Sequence, residues 1–454
     1  MPASVTQQIS DWACGPMVAN LPEPATNVVK RALLDTMAVT LLGSRLEAPR
    51  IVARIEFARG AAAAISVCGM GRKADVLGAA LINGISAHAD LFDDNNAPMI
   101  AHPSSPLVSC LLPLAQSRGL GGRAVIQAYA AGFEVGVTLG RLLNPALYEQ
   151  GWHVTRVLGV IGSTAACCRL IGLDPRRTAS ALGIAVSMAS SVRQNFGTMT
   201  MALHVGLTAR DAVHCALLAE AGFESDPNAM DGKYGFSQVF AGRALDTLEL
   251  GSHWELLTSG IIFKPYPCGA PTHAAVDAAL ALRVRIGGDA AGIASLECMV
   301  HPWNAMTLRT EDPRDTLQAR VNLKYCVAAA LLHGELGFQQ FSDHALADPA
   351  LRALMQKISV RIADDLPDNG EFPAEVRLQT SDGQWLVERR EVPPGGSTRP
   401  LGAAQIEAKF RSCSQLVLDR AAADRVLQAV NRFEDLDDLD PLCEWLEGRA
   451  QPAR

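Results

Sequence analysis

Residues 33–42, Leu33-Leu34-Asp35-Thr36-Met37-Ala38-Val39-Thr40-Leu41-Leu42, carry apolar side chains at steps of three and four. That is the stripe of a helix facing a core. Working outward, the same period returns at 76–88, 107–115, 125–142, 158–170, 179–190 and 203–221. Gly and Pro mark the joints, at 119–122, Asn144-Pro145 and 172–175. Between residues 24 and 257 the one strand-like run is 63–68.

The texture changes after Lys264-Pro265-Tyr266-Pro267, where the prolines break any helix. Residues 293–300 and 358–362 alternate like strands, and 376–380 with 385–390 read as a hairpin around Ser381-Asp382-Gly383. Helical patterns at 271–285, 316–332 and 348–357 lie among them, and from 403 helices return and run into an acidic, solvated tail. The expected fold is mainly α: a large all-helical domain, residues 1–265 plus 403–454, interrupted by a smaller α+β lid domain, residues 266–402.

Hydrophobic residues make up 49% of the 454 positions and aromatics only 5%, so Ala, Leu, Val and Gly must fill the core. Small residues at that density suit closely packed helices. A net charge of −7 gives no basis for nucleic-acid binding. The start lacks a secretory pattern, and the longest apolar stretch, 179–192, is too short and too rich in Ser and Gly to span a bilayer. The cysteines, 11 in all, are scattered without a CxxC pair, which argues against zinc and disulfide frameworks and for a reducing cytoplasm.

Polar chemistry concentrates at five points. His88-Ala-Asp90-Leu-Phe-Asp93-Asp94-Asn95-Asn96 leads to His102-Pro103-Ser104-Ser105, an imidazole close to carboxylates. Such a histidine can be tuned as an acid or base near neutral pH, although an acidic loop at a helix end is also ordinary. In Gly151-Trp152-His153-Val154-Thr155 the histidine precedes a long apolar helix, whose N-terminus favours anions; a buried, satisfied histidine is the plainer reading. Arg193 to His204 gathers Gly, Thr and Asn between two helices, suited to a ligand or to a tight turn. Lys264-Pro-Tyr-Pro-Cys268 with Thr272-His273 sits at the domain junction, a common place for ligands and for linkers alike. Lys324-Tyr325-Cys326 puts a phenol inside an Ala-rich helix, where core packing is the alternative to catalysis. A dinucleotide fingerprint, a P-loop, a GxSxG elbow and HExxH are all absent, and nothing activates Cys167 or Cys268 as a nucleophile.

Together these segments resemble the 2-methylcitrate dehydratase family, also called MmgE/PrpD, which includes cis-aconitate decarboxylase and iminodisuccinate epimerase. The resemblance rests on Asn83-Gly84 through Asp94, His102-Pro-Ser104, Gly132-Phe-Glu134-Val, Gly151-Trp-His153, Asn195-Phe-Gly-Thr-Met-Thr200, Leu203-His204, Lys264-Pro-Tyr-Pro-Cys268 with Thr272-His273, and Lys324-Tyr325, in that order. It implies a helical domain with an α+β lid, usually a homodimer, with no metal or organic cofactor, and a site at the cleft between domain and lid. His102, His153 and Tyr325 match the family's catalytic positions. Asp93 and Asp90 are the candidates to orient His102. Asn95, Arg193, Thr200, Met201, His204, Lys264, Cys268 and His273 are expected around the substrate. Three positions depart from the family pattern: Leu91 stands for an aspartate, with Asp90 one place earlier, Asn95 stands for a threonine, and Met201 stands where a lysine is common.

The function implied is a cofactor-independent lyase, a dehydratase or decarboxylase, acting on a small di- or tricarboxylic acid. Without a metal the protein must supply a base, an acid and fixed carboxylate-binding groups. An epimerase or racemase of a dicarboxylic acid is the second reading. A non-catalytic carboxylate-binding relative is the third.

Overall fold

The structure is a computed structural model that describes residues 3–59, 63–245, 247–305, 308 and 312–448. The chain forms two compact units. The larger takes the residues up to Ala89, Asp93–Ile261 and those from Gly402 onward; the smaller takes Asp90–Phe92 and Ile262–Leu401. The fold is mainly α, with small sheets.

In the larger unit the apolar stripe becomes the helix Glu23–Gly43, opened by a proline in its first turn and buried along its second half. The helix Val76–His88 starts where the Asp75 side chain accepts from the Gly78 amide at 2.8 Å, and it is buried on every side from Gly78 to His88. Ser104–Arg118, Gly122–Leu143, Gly159–Leu170, Pro175–Met188 and Met199–Glu220 complete the core.

Glycine lets these helices touch at the backbone. A Cβ on Gly84 would stand 2.8 Å from the Cα of Gly206, and one on Gly206 would meet Leu81 O at 2.5 Å. Gly132 and Gly162 face each other in the same way, each hypothetical Cβ lying 2.6 Å from the other's carbonyl oxygen. A core short of aromatics is filled by bringing main chains together.

The strand-like run at 63–68 is the strand Ile65–Val67, paired antiparallel with Arg72–Ala74, a partner the sequence pattern does not reveal. The C-terminal segment is no solvated tail up to Gly448. Helix Asp440–Glu447 buries Leu442, Cys443 and Leu446, and its last carbonyls accept from Gly69 N at 2.8 Å and Gly71 N at 2.9 Å. Lys409, on helix Ala403–Ser414, pairs with buried Asp35 at 2.7 Å.

The smaller unit holds a four-stranded sheet. Ile293–Val300 pairs in parallel with Ile358–Ile362 and antiparallel with Ala374–Thr380, which in turn pairs antiparallel with Trp385–Arg390. Helices His273–Arg285 and Leu323–His333 contribute to its core. The helical pattern at 316–332 is broken in two, because Asn322 leaves the helix and caps the second half through the Tyr325 amide at 2.9 Å. No helix among the described residues is long and apolar enough to cross a membrane.

Replacing Gly84 or Gly206 by Ala forces backbone apart on both sides, so each change should destabilise the fold by about 1–3 kcal/mol. A urea melt should show a lower midpoint for both variants; an unchanged midpoint would mean that the helices separate freely.

Candidate active site

Asp93 gathers the first cluster. Its Oδ2 lies 2.8 Å from His88 Nδ1, accepts from Ser105 Oγ at 2.7 Å, and stands 3.5 Å from His102 Nδ1. His88 closes its helix and is buried; its Nε2 has no hydrogen-bond partner among the described residues. His102 is the more open imidazole, with a side chain 19% exposed. Its Nδ1 sits 2.7 Å from the Asp94 carbonyl oxygen. A carbonyl can only accept, so Nδ1 carries the proton and neutral His102 presents its lone pair at Nε2. The His102 amide donates to Thr155 Oγ1 at 3.2 Å.

The loop between them is shaped from both ends. Asn96 pairs with Ala101 in a single bridge, accepts from the Met99 amide at 2.9 Å, and donates to Gly260 O at 2.9 Å. Asp94 turns inward, accepting from the Ser104 amide at 3.3 Å and from the Ser104 hydroxyl, which also meets Tyr129 OH. Burial pushes the Asp94 carboxyl up to about 8 against those hydrogen bonds, and the nearby charges of Asp93 and Asp35 add to the rise. Asn95 is half-buried, with its Nδ2 unpaired among the described residues.

The second cluster is built by two loops that run side by side. His153 N donates to Ser191 O at 3.0 Å and Arg193 N to Gly151 O at 2.8 Å, while Trp152 bridges Val192. The long helix expected after His153 is split into Val154–Val157 and Gly159–Leu170. The His153 ring stands edge-on to Phe196, at 4.9 Å between centroids, and its Nδ1 is 2.9 Å from the Nδ1 of His204. His88 lies between the clusters, its ring 4.6 Å from that of His102 and 6.0 Å from that of His153.

Burial holds His153 well below the usual histidine range, and the neighbouring His88, His204 and His102 reinforce this against Asp93. Burial likewise lowers His204 to about 4, helped by His88 and Arg156. Arg193 stacks on Tyr148 at 3.5 Å and donates to its carbonyl oxygen at 2.8 Å. Met201 is buried and Thr200 half-buried, both in the first turn of Met199–Glu220.

The remaining candidates belong to the smaller unit. Asp90 forms a buried ion pair with Arg320 at 2.6 Å. Leu91 adopts a positive φ of 54°, and its carbonyl oxygen accepts from Lys264 Nζ at 2.9 Å. Cys268 Sγ is 3.1 Å from Thr272 Oγ1, and His273 Nε2 is 3.2 Å from the Cys268 carbonyl oxygen. Tyr325 is fully buried, its hydroxyl donating to Gln340 O at 2.5 Å, and burial pushes its phenol up to about 12. The larger unit therefore brings together His102, His153, His204 and Asp93, whereas the hydrogen bonds and ion pair just described for Asp90, Lys264, Cys268, His273 and Tyr325 fall inside the smaller one. One donor atom from each of His88, Asp93 and His102 falls within 4.8 Å of the others, the grouping among the described residues that could hold a metal ion.

The MmgE/PrpD N-terminal domain matches residues 7–247 and the MmgE/PrpD C-terminal domain matches residues 266–435. This chain belongs to the MmgE/PrpD family. It is 27% identical to the cis-aconitate decarboxylase of Homo sapiens over 464 residues, covering 99% of this chain and 96% of that protein. It is 26% identical to the cis-aconitate decarboxylase of Aspergillus terreus over 474 residues, 98% of this chain and 96% of the relative. The 2-methylcitrate dehydratase of Cupriavidus necator is 28% identical over 276 residues, 56% of each chain.

For this MmgE/PrpD protein, sequence reasoning assigned no part to His88, Ser104, Ser105, Tyr129 or Arg320. His88, Ser104 and Ser105 were within reach, because they flank the same acidic loop; Tyr129 and Arg320 sit inside helical runs that offer no such cue.

The folded chain keeps a proton on Asp94 that an unfolded one, with a carboxyl near about 3.9, releases. Between about pH 4 and 8 the folded state thus binds more protons, and this group's contribution to stability falls as pH rises through that window. Urea midpoints at pH 5.5 and 8.5 should therefore differ less in Asp94→Asn than in the unaltered protein. Equal differences would mean that Asp94 is ionised throughout.

Proposed function

We propose that this protein is a lyase, a dehydratase or decarboxylase, that uses His102 as its main acid/base on a small di- or tricarboxylic acid. The coarser statement, a lyase-type reaction on small carboxylic acids, follows from membership of a family whose named relatives are decarboxylases and dehydratases. The observation that carries the finer reading is the Asp94 carbonyl 2.7 Å from His102 Nδ1, which leaves a basic Nε2 on the most open of the clustered imidazoles.

In dehydration, Nε2 of His102 takes the proton from the carbon beside a carboxylate, the electron pair forms the alkene, and an acid protonates the departing hydroxide to water. In decarboxylation, a carbon–carbon bond breaks to release carbon dioxide, and the electron pair left on carbon takes a proton from the acid. His153, held neutral, serves as the second proton-transfer group. Asp93, within 3.5 Å of His102 Nδ1, steadies the imidazolium that forms. On the family resemblance of their motifs, Tyr325 is proposed as a proton donor, and Lys264, His273 and Arg193 as carboxylate-binding groups. An epimerase is the second reading, favoured by the two imidazoles, His102 and His153, of one unit.

A panel of di- and tricarboxylic acids, followed by mass spectrometry and by proton NMR in heavy water, should reveal one that yields an alkene or loses carbon dioxide. Exchange of a single proton with every heavy atom kept would replace the lyase by the epimerase. On the acid so found, His102→Gln should lower kcat by about a hundredfold or more. A rate that survives this change removes His102 from the mechanism.

A further inference from the structure

We propose that His204 is the positioning partner of His153, sharing one proton with it so that a single imidazole serves first as base and then as acid. The inference rests on the assignment of His153 to proton transfer, and it gives His204 a part other than touching substrate.

The geometry is specific. The two Nδ1 atoms are 2.9 Å apart, and each side chain belongs to a residue 3% exposed. Two lone pairs at that distance repel and two N–H groups collide, so one N–H lies between the rings. The rings are fixed by separate elements: His153 by the loop bonded to Ser191 and by Phe196, His204 by the second turn of Met199–Glu220.

Burial keeps the pair neutral, and the titratable groups around it act on it as well. His88, at the end of Val76–His88, acts on both rings. His102 and Asp93, from the acidic loop, act on His153 in opposite senses, and Arg156, held by Asp211 and the Met188 carbonyl, acts on His204. With burial added, neither imidazole takes up a proton from water near neutral pH.

The pair works in two forms, one neutral and one carrying the substrate's proton. With the shared proton on His153 Nδ1, the lone pair at His153 Nε2 is a base. When a substrate proton bonds to that Nε2, the Nδ1–H bond breaks and its proton bonds to His204 Nδ1. His153 is then neutral with its proton at Nε2, an acid, and the positive charge rests on His204. Delivery of the Nε2 proton to the substrate's electron pair, with return of the shared proton, restores the start. One proton enters, one leaves, and no other reactant is needed.

Three variants and a spectrum test this. His204→Asn keeps a hydrogen-bonding atom near the position of Nδ1, His204→Asp places a carboxylate there, and His204→Leu removes the partner; circular dichroism and thermal melts establish which fold. Leu should lower kcat about tenfold to a hundredfold with KM little changed, and Asn should restore most of that loss. Asp should hold His153 protonated and move the acid limb of the kcat profile to higher pH by about one unit or more. Equal losses in all three with an unmoved limb, or an unimpaired Leu variant, would overturn the role. In protein labelled with nitrogen-15 at histidine, a coupling between the two Nδ1 nuclei should appear and should vanish in His204→Leu. Its absence from the unaltered protein overturns the shared proton without recourse to any substrate. Absence of turnover by the unaltered protein across the acid panel overturns the lyase reading, and the role of the pair with it.

Discussion

Where helices Val76–His88 and Met199–Glu220 cross, Gly84 and Gly206 bring the two backbones into contact. His88 lies one turn beyond Gly84, and His204 lies two residues before Gly206. Side chains so near a crossing inherit its rigidity, because neither helix can rotate or withdraw without opening a void in a close-packed interior. The loops that carry His102 and His153 then need only modest anchoring, and they receive it from Asn96 on one side and from the ladder between 151–153 and 191–193 on the other. The histidine cluster is thus a property of helix packing before it is a property of any loop.

Its electrostatics follow from the same closeness. Four imidazoles with Asp93 among them cannot all be charged, and burial resolves the conflict by keeping His153 and His204 neutral. Asp93 accepts from Ser105 and sits beside both His88 and His102, so one carboxylate serves two rings. Asp94, next in the chain, faces a hydroxyl-lined recess instead, and its burial there favours the protonated carboxyl. Adjacent residues of one type thus meet different partners, imidazoles for Asp93 and hydroxyls for Asp94.

Much of the helical framework was legible because its signal is periodic: Val76–His88 has the span read from the sequence, and Ile293–Val300, Ile358–Ile362 and Trp385–Arg390 do too. Single events were less legible. The break at Asn322 depends on one side chain reaching one amide, and the strand Arg72–Ala74, a basic three-residue run, looks like loop. For the candidate site, motif spacing singled out His102, His153 and His204, yet it held nothing to say that His204 would face His153 rather than a ligand. That pairing is set by the rotation of one helix about its axis, a tertiary quantity. Asp90 and Asp93, three residues apart, divide between the two units, one meeting Arg320 and the other the histidines. Alternation along an irregular loop has no period from which to foresee this.

The buried contact between Asp35 and Lys409 joins residues at opposite ends of the chain. It bears on the order in which a ribosome makes this protein fold. Helix Glu23–Gly43 emerges early, but the ammonium that neutralises Asp35 and the helix that covers it arrive only after residue 402. Every residue of the smaller unit has been synthesised by then. The usual sequence, in which the N-terminal domain is finished first, is therefore inverted: the later-starting unit can be complete while the nascent helices of the larger one still await their closing piece.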